Sequence, residues 1–375
     1  NDAALKATGI DTMEYIDGGK IIRRNGKATG ICLDKAADII KVAIPAPSDE
    51  ANIKALLKAQ KNCFRVGLTS VHDAGLETDQ IRLIEDLQTK GLLKMRIFAM
   101  LSPSEENLKT ILTKGKIKTP FLNVSSLKLY ADGALGSRGA LLLEPYCDSP
   151  DTYGIAVNSE EFIREHARLA FEHDFQVCTH CIGDSASRMV LRIYKDILKT
   201  DTLRRWRIEH AQVIHPDDIH FFGDYGIIPS IQSTHATSDM YWAEKRLGSR
   251  VKNAYIYKQL LQENNWIPNG SDFPVEDINP LYGFYAAVTR KDKKGYPPGG
   301  FQMENALSRE DALRAMTIWA AMAGFEENEK GSLEPGKFAD FVVFDKDFFS
   351  AEEYKILQSN VQATFINGEK VFSKN

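Results

Sequence analysis

Four residues standing at the ends of apolar runs have types that could do chemistry together: Lys128 in LKLYADG, His180 in CTHCIGD, His210 in RIEHAQ and Asp272 in NGSDFP. Imidazoles and carboxylates bind zinc directly, and a lysine amine carboxylated by carbon dioxide becomes a carboxylate that can bridge two cations. The set therefore suits two divalent metals. A lysine inside an apolar strand is costly unless something neutralises or modifies it, so Lys128 needs a partner. Each residue also has a plainer reading. Lys128 could reach solvent from a strand end, His180 and His210 could be packed core residues, and Asp272 could cap a helix beside Pro274. Histidines ending two successive strands and an aspartate ending the last make the set more informative than its members.

The stretch CTHCIGD also carries a Cys-x-x-Cys spacing, Cys178 and Cys181. It lies in FQVCTHCIG, an apolar run that reads as a buried strand. In a strand the two cysteines point to opposite faces, while Cys178 and His180 share one. A redox pair would need a helix N-terminus after the first cysteine, and a zinc ribbon would need a second pair. Cys32, Cys63 and Cys147 are isolated, so the cysteines read as packing and His180 as the functional residue.

Strand-like segments are expected at 66–75, 95–101, 124–133, 175–183, 205–213, 226–232 and 265–273, with amphipathic helices at 48–64, 78–91, 159–174 and 249–265 between them. Repeated strand and helix alternation means a mainly parallel sheet. No Gly-x-Gly-x-x-Gly turn follows a strand, and polar residues end nearly every one, which favours a (β/α)8 TIM-type barrel over a dinucleotide fold. Only seven barrel strands are legible. Residues 18–46 read as a β-hairpin insertion with an Asn25-Gly26 turn and a connection after it. A helix at 308–325 precedes short strands in 331–345 and 361–372, so a barrel over 1–328 and a small β portion over 329–375 are expected.

The 375 residues are 43% hydrophobic and 26% charged, with 47 basic against 51 acidic side chains. This balance offers no footprint for nucleic acid, and no apolar run approaches the length of a membrane span. Five cysteines in a long chain do not make a disulfide framework and point to a cytoplasmic or otherwise reducing compartment. Oligomeric state is not legible.

The stretches GLTSVHDAG, LKLYADGALGSRGALL, THCIGDSA, RIEHAQ, IQSTHA, GSDFPVEDINPL and EPGKFADFVVFD with INGEKVF cover nearly the whole chain. In that order they resemble the amidohydrolase superfamily, specifically the amidohydrolase-3 branch of metal-dependent hydrolases that includes relatives of N-acyl-amino-acid deacylases. The resemblance implies a distorted barrel with a β-sandwich attached, one or two zinc-like ions, a carboxylated Lys128, metal ligands at His180 and His210, and a ligand and proton shuttle at Asp272. The superfamily's first strand carries a His-x-His pair that these 375 residues lack. The opening NDAALKATGI resembles a segment that follows that strand in the family. The expectation is a fragment or truncated relative that begins downstream of strand one, with one metal position deprived of two histidines.

For the intact enzyme the resemblance implies hydrolysis of a carbon–nitrogen bond in a small amide-like substrate by metal-activated hydroxide. Gln232 and His235 are candidates to contact substrate, and Arg138 to bind a substrate carboxylate, with a loop-fixing ion pair as its alternative. His72 is not expected to bind metal, and His166, His173, His215 and His220 are expected at the surface. A catalytically incomplete binding remnant and a related deaminase or esterase remain the other readings, and the substrate and metal identity are not legible.

Overall fold

The computed structural model describes residues 1–374. Near its start, Asn25 and Gly26, with φ of 51° and 75°, turn β1 (Gly19–Arg24) back onto β2 (Lys27–Asp34) as an antiparallel hairpin. Residues 35–42, expected as connection, form a helix instead. Ala36, Ile39 and Ile40 fall on one helical face and pack with Leu5 and Ile10 in a small core of their own.

The parallel sheet is built next. It runs through β3 (Ser70–Leu76), β4 (Arg96–Leu101), the two-residue β5 (Ile117–Lys118), β6 (Leu122–Tyr130), β7 (Gln176–Cys181), β8 (Arg207–His210) and β9 (Ile228–Ser230). All pair in parallel in chain order except β5, which lies antiparallel on β6. Helices 78–89, 105–114, 160–172 and 184–198 connect them and cover one face. Leu127, Leu129, Val177 and Ile208 point to those helices and join the main core. Ser126, Lys128, Cys178 and His180 alternate to the concave face, where Cys178 meets Phe98 and Met100.

The seventh barrel strand expected at 265–273 is not formed. Its contact with the sheet is one bridge, Asn269 beside Ile231, with Ile231 N–H donating to Pro268 O and Gly270 N–H to Ile231 O. Pro268 has no N–H to extend the ladder, and the chain turns away at Asp272, whose φ is 54°. Among the described residues the sheet is therefore a curled half-barrel, with β3 at one edge. Two expected helices are also shorter. Residues 308–325 break at Thr317 into Arg309–Ala315 and Ile318–Ala323, and in 249–265 only Tyr257–Asn264 is α-helical.

The segment after the break closes the N-terminal end of the sheet. Asn123 and Gln176 donate side-chain N–H groups to Gly324 O and Ala323 O, and Lys118 pairs with Glu326. Then β10 (Phe341–Phe344), β11 (Val361–Ile366) and β12 (Glu369–Ser373) form a separate antiparallel sheet. Asp340, at its entry, takes a buried bidentate contact from Arg96 of β4 at 2.5 and 2.9 Å. No helix among the described residues is long and apolar enough to cross a membrane, and all five cysteines are free.

Candidate active site

Strand register brings the polar residues together. Lys128 pairs with Cys178 and Cys178 with Arg207, while the next row up places Tyr130, His180 and Glu209 side by side. Lys128 is buried, with its Nζ 4.8 Å from the centroid of the Tyr130 ring. Burial pulls its amine below the ordinary lysine range, and Glu209, Cys178 and Asp272 act in the opposite sense.

His210 would face the helices if β8 kept strict alternation, since Arg207 and Glu209 occupy the concave face. Positive φ at His210 (75°) and Ala211 (41°) breaks the alternation and turns the imidazole inward. Its ring then lies 4.4 Å from that of His180, at 72°. His210 Nδ1 donates to Gln232 Oε1 at 2.7 Å, which sets the tautomer and leaves Nε2 as the free donor atom. His180 Nε2 is buried without a hydrogen-bond partner, 3.8 Å from Asp132 Oδ1. His235, on the helix Ser233–Asp239 after β9, stacks 5.9 Å from His210, and its Nε2 is also unpartnered. Burial lowers all three imidazoles, His210 to about 3, His235 to about 4 and His180 well below its ordinary value, so all are neutral at physiological pH.

Asp272 lies in the turn after Gly270, within electrostatic reach of Lys128. The residue is exposed overall, yet desolvation holds its carboxyl above the usual range while Lys128 pulls it down. Arg138 is engaged in a bidentate ion pair with Asp148, at 3.0 and 2.9 Å, in the loop after β6. Gln232 is likewise occupied, by His210. His72 is enclosed in the half-barrel and its Nδ1 accepts from Arg207 at 2.9 Å. His166, expected at the surface, is buried instead: its Nδ1 donates to Phe162 O and its ring stacks on Phe162 at 3.9 Å.

Three groups escaped the reading of the sequence. Arg207 and Glu209 form a buried ion pair at 2.6 Å, Glu209 level with His180 and Arg207 in the row below, with Ser230 and His72 completing the guanidinium's contacts. Two charges at alternate positions of an apolar strand were the available signal. Asp132 accepts the backbone N–H groups of Leu141, Ile182 and Gly183, which ties the loop after β6 to the end of β7 beside His180. Burial, the leading influence, raises its carboxyl to about 7. Asp239 accepts from Gln212 and Tyr255 behind the site.

A cavity of about 650 Å³ between helices 160–172 and 184–198 is lined by Arg164, Arg188 and Lys195 and holds none of these residues, so volume does not mark the chemistry here. The donor chemistry does. An unpartnered buried imidazole nitrogen beside a second imidazole with a fixed tautomer fits a divalent cation. No three His, Cys, Asp or Glu side chains among the described residues converge on one point, so Asp272 does not close on the two imidazoles here and the further donor would be Lys128.

Protein LONG AFTER FAR-RED 3 of Arabidopsis thaliana is 34% identical over 99% of this chain, which spans 66% of that relative's length. Putative amidohydrolase YtcJ of Bacillus subtilis is 32% identical over 100% of this chain and 72% of its own. The crystal structure of an uncharacterized metal-dependent hydrolase from Pyrococcus horikoshii superposes with a TM-score of 0.78 at 26% identity, covering 94% of this chain and 70% of that one. Residues 1–372 match the Amidohydrolase family. The chain belongs to that family, in its amidohydrolase-3 branch.

Proposed function

We propose that this protein is a metal-dependent amidohydrolase that cleaves a carbon–nitrogen bond other than a peptide bond in a small amide-like substrate. The observation that carries the proposal is the His180–His210 pair, 4.4 Å apart, with an unpartnered Nε2 on His180 and the buried Lys128 alongside. His180 and His210 would hold the metal, zinc being the first candidate, with Lys128 contributing as a carbamate. A bound divalent ion supplies a hydroxide nucleophile by lowering the pKa of its water. Asp272, whose carboxyl is raised by desolvation, accepts a proton and returns it to the leaving nitrogen. His235 faces the pair and polarises the scissile carbonyl. Gln232 holds His210 rather than substrate, and Arg138 braces the loop.

The test is metal stoichiometry by elemental analysis, followed by hydrolysis of a panel of N-acyl amines, esters and amino-substituted heterocycles. Metal bound by the wild type but not by His180→Ala/His210→Ala, with amides turned over best, supports the reading. Preference for esters or amino-heterocycles moves the function to the related esterase or deaminase. A second reading, a binding remnant of the same fold, is supported by the two imidazoles standing without a third converging His, Cys, Asp or Glu among the described residues. Metal binding without turnover of any panel member would favour it.

A further inference from the structure

The hairpin and helix that precede the sheet touch the loop that follows β6. The Gly18 backbone packs so closely on the segment after β6 that a Cβ there would lie 2.5 Å from Val157 O, and Val157 N–H bonds to Ala131 O. At the end of β2, Asp34 adopts φ 51° and ψ −129°, a combination that few residues other than glycine tolerate. Its carboxylate is pressed against two glycines of the loop after β6. A Cβ on Gly133 would lie 2.6 Å from Oδ1, and one on Gly139 would lie 3.0 Å from Oδ2. Gly133 directly follows Asp132, whose Oδ1 lies 3.8 Å from His180 Nε2, so Asp34 presses on the loop one residue from the histidine's neighbour.

Nothing in the fold uses the Asp34 carboxylate. It does not cap the helix that follows it, and its Oδ2 is sealed from solvent without a hydrogen-bond donor. The loop it presses on cannot withdraw, because Asp132 holds that loop through Leu141 and fastens it to Ile182 and Gly183. A strained backbone and an unpartnered, partly buried charge both oppose folding, and no ion pair or cap offsets them. A ligand bearing a cationic nitrogen supplies what the carboxylate lacks.

We infer that Asp34 is a specificity-determining residue that binds an ammonium or guanidinium group of the substrate beside the loop that holds His180. This rests on the proposed function only in taking the surroundings of His180 and His210 as the substrate site.

The experiment is calorimetric titration of the purified chain with n-butylammonium chloride and, as a neutral counterpart, 1-butanol, for the wild type, Asp34→Asn and Asp34→Gly. The expected result is that butylammonium binds the wild type more tightly than butanol and loses at least tenfold in affinity in both variants. The expected melting temperatures of the variants equal or exceed that of the wild type, since the substitutions remove an orphan charge and, with glycine, the backbone strain. Equal binding by all three proteins, no butylammonium binding to the wild type, or melting of both variants well below the wild type would each overturn the inference. No turnover enters the measurement, so the two proposals fail separately. Butylammonium held by Asp34 without amide hydrolysis removes the enzyme reading, and hydrolysis with no Asp34-dependent amine binding removes this one.

Discussion

Gln232 Oε1 accepts the Nδ1 proton of His210 at 2.7 Å across the gap between β8 and the segment after β9. A partner of this kind sets which imidazole nitrogen faces a metal, and its loss typically lowers metal affinity by about 10–100-fold. Gln232→Leu is expected to show a loss of that size in competition with a chromophoric chelator, while Gln232→Glu keeps an acceptor and loses less. Wild-type affinity in Gln232→Leu would show that the bond does not orient the ligand.

His180 Nε2 has no protein partner, so its imidazole contributes little to the metal-free fold beyond packing. A bound ion stabilises the native state by mass action, about 2.7 kcal/mol when its concentration is 100 times Kd. The wild type should therefore melt at a higher temperature in excess zinc than in chelator, and His180→Ala should show no such rise. An undiminished rise in the variant would place the ion elsewhere.

Arg207 and Glu209 are both buried, and each leaves the other uncompensated when removed. Glu209→Leu is expected to cost about 3–5 kcal/mol in urea unfolding, because the guanidinium and Lys128 both lose a counter-charge. The double change Arg207→Met/Glu209→Leu should cost less than the sum of the single changes. Strict additivity would mean that the pair is not coupled.

Asp239 is raised from its ordinary value of 3.8 to about 6, mainly by burial, with hydrogen bonds from Tyr255, Ser238 and Gln212 opposing. The folded state thus keeps a proton that the unfolded chain releases, so stability is greatest below the unfolded value and falls as pH rises to the folded one, by about 2–3 kcal/mol. Asp239→Asn retains an oxygen to accept from Tyr255 and Gln212 and removes the ionisation. Its stability measured from pH 4 to 7 should lack the part of the decline due to this group, and a slope equal to the wild type's would assign the decline to other groups.

Local patterning determined much of the fold. Alternation along FQVCTHCIG is a property of neighbouring residues, so it placed Cys178 and His180 on one face and parted the two cysteines before any contact was known. The helices 49–65, 78–89 and 160–172 and the Asn25-Gly26 hairpin were legible for the same reason. Tertiary structure decided the rest, because it depends on register and on single dihedral angles that no local pattern encodes. Alternation alone would have turned His210 away from His180, and only two consecutive positive φ values bring it back. The same apolar texture made 265–273 look like a strand, although Pro268 and the turn at Asp272 leave it one bridge. The occupation of Gln232 by His210, of Arg138 by Asp148 and the placing of Asp34 against Gly133 join residues far apart in the chain, and chain folding alone brings such pairs within reach.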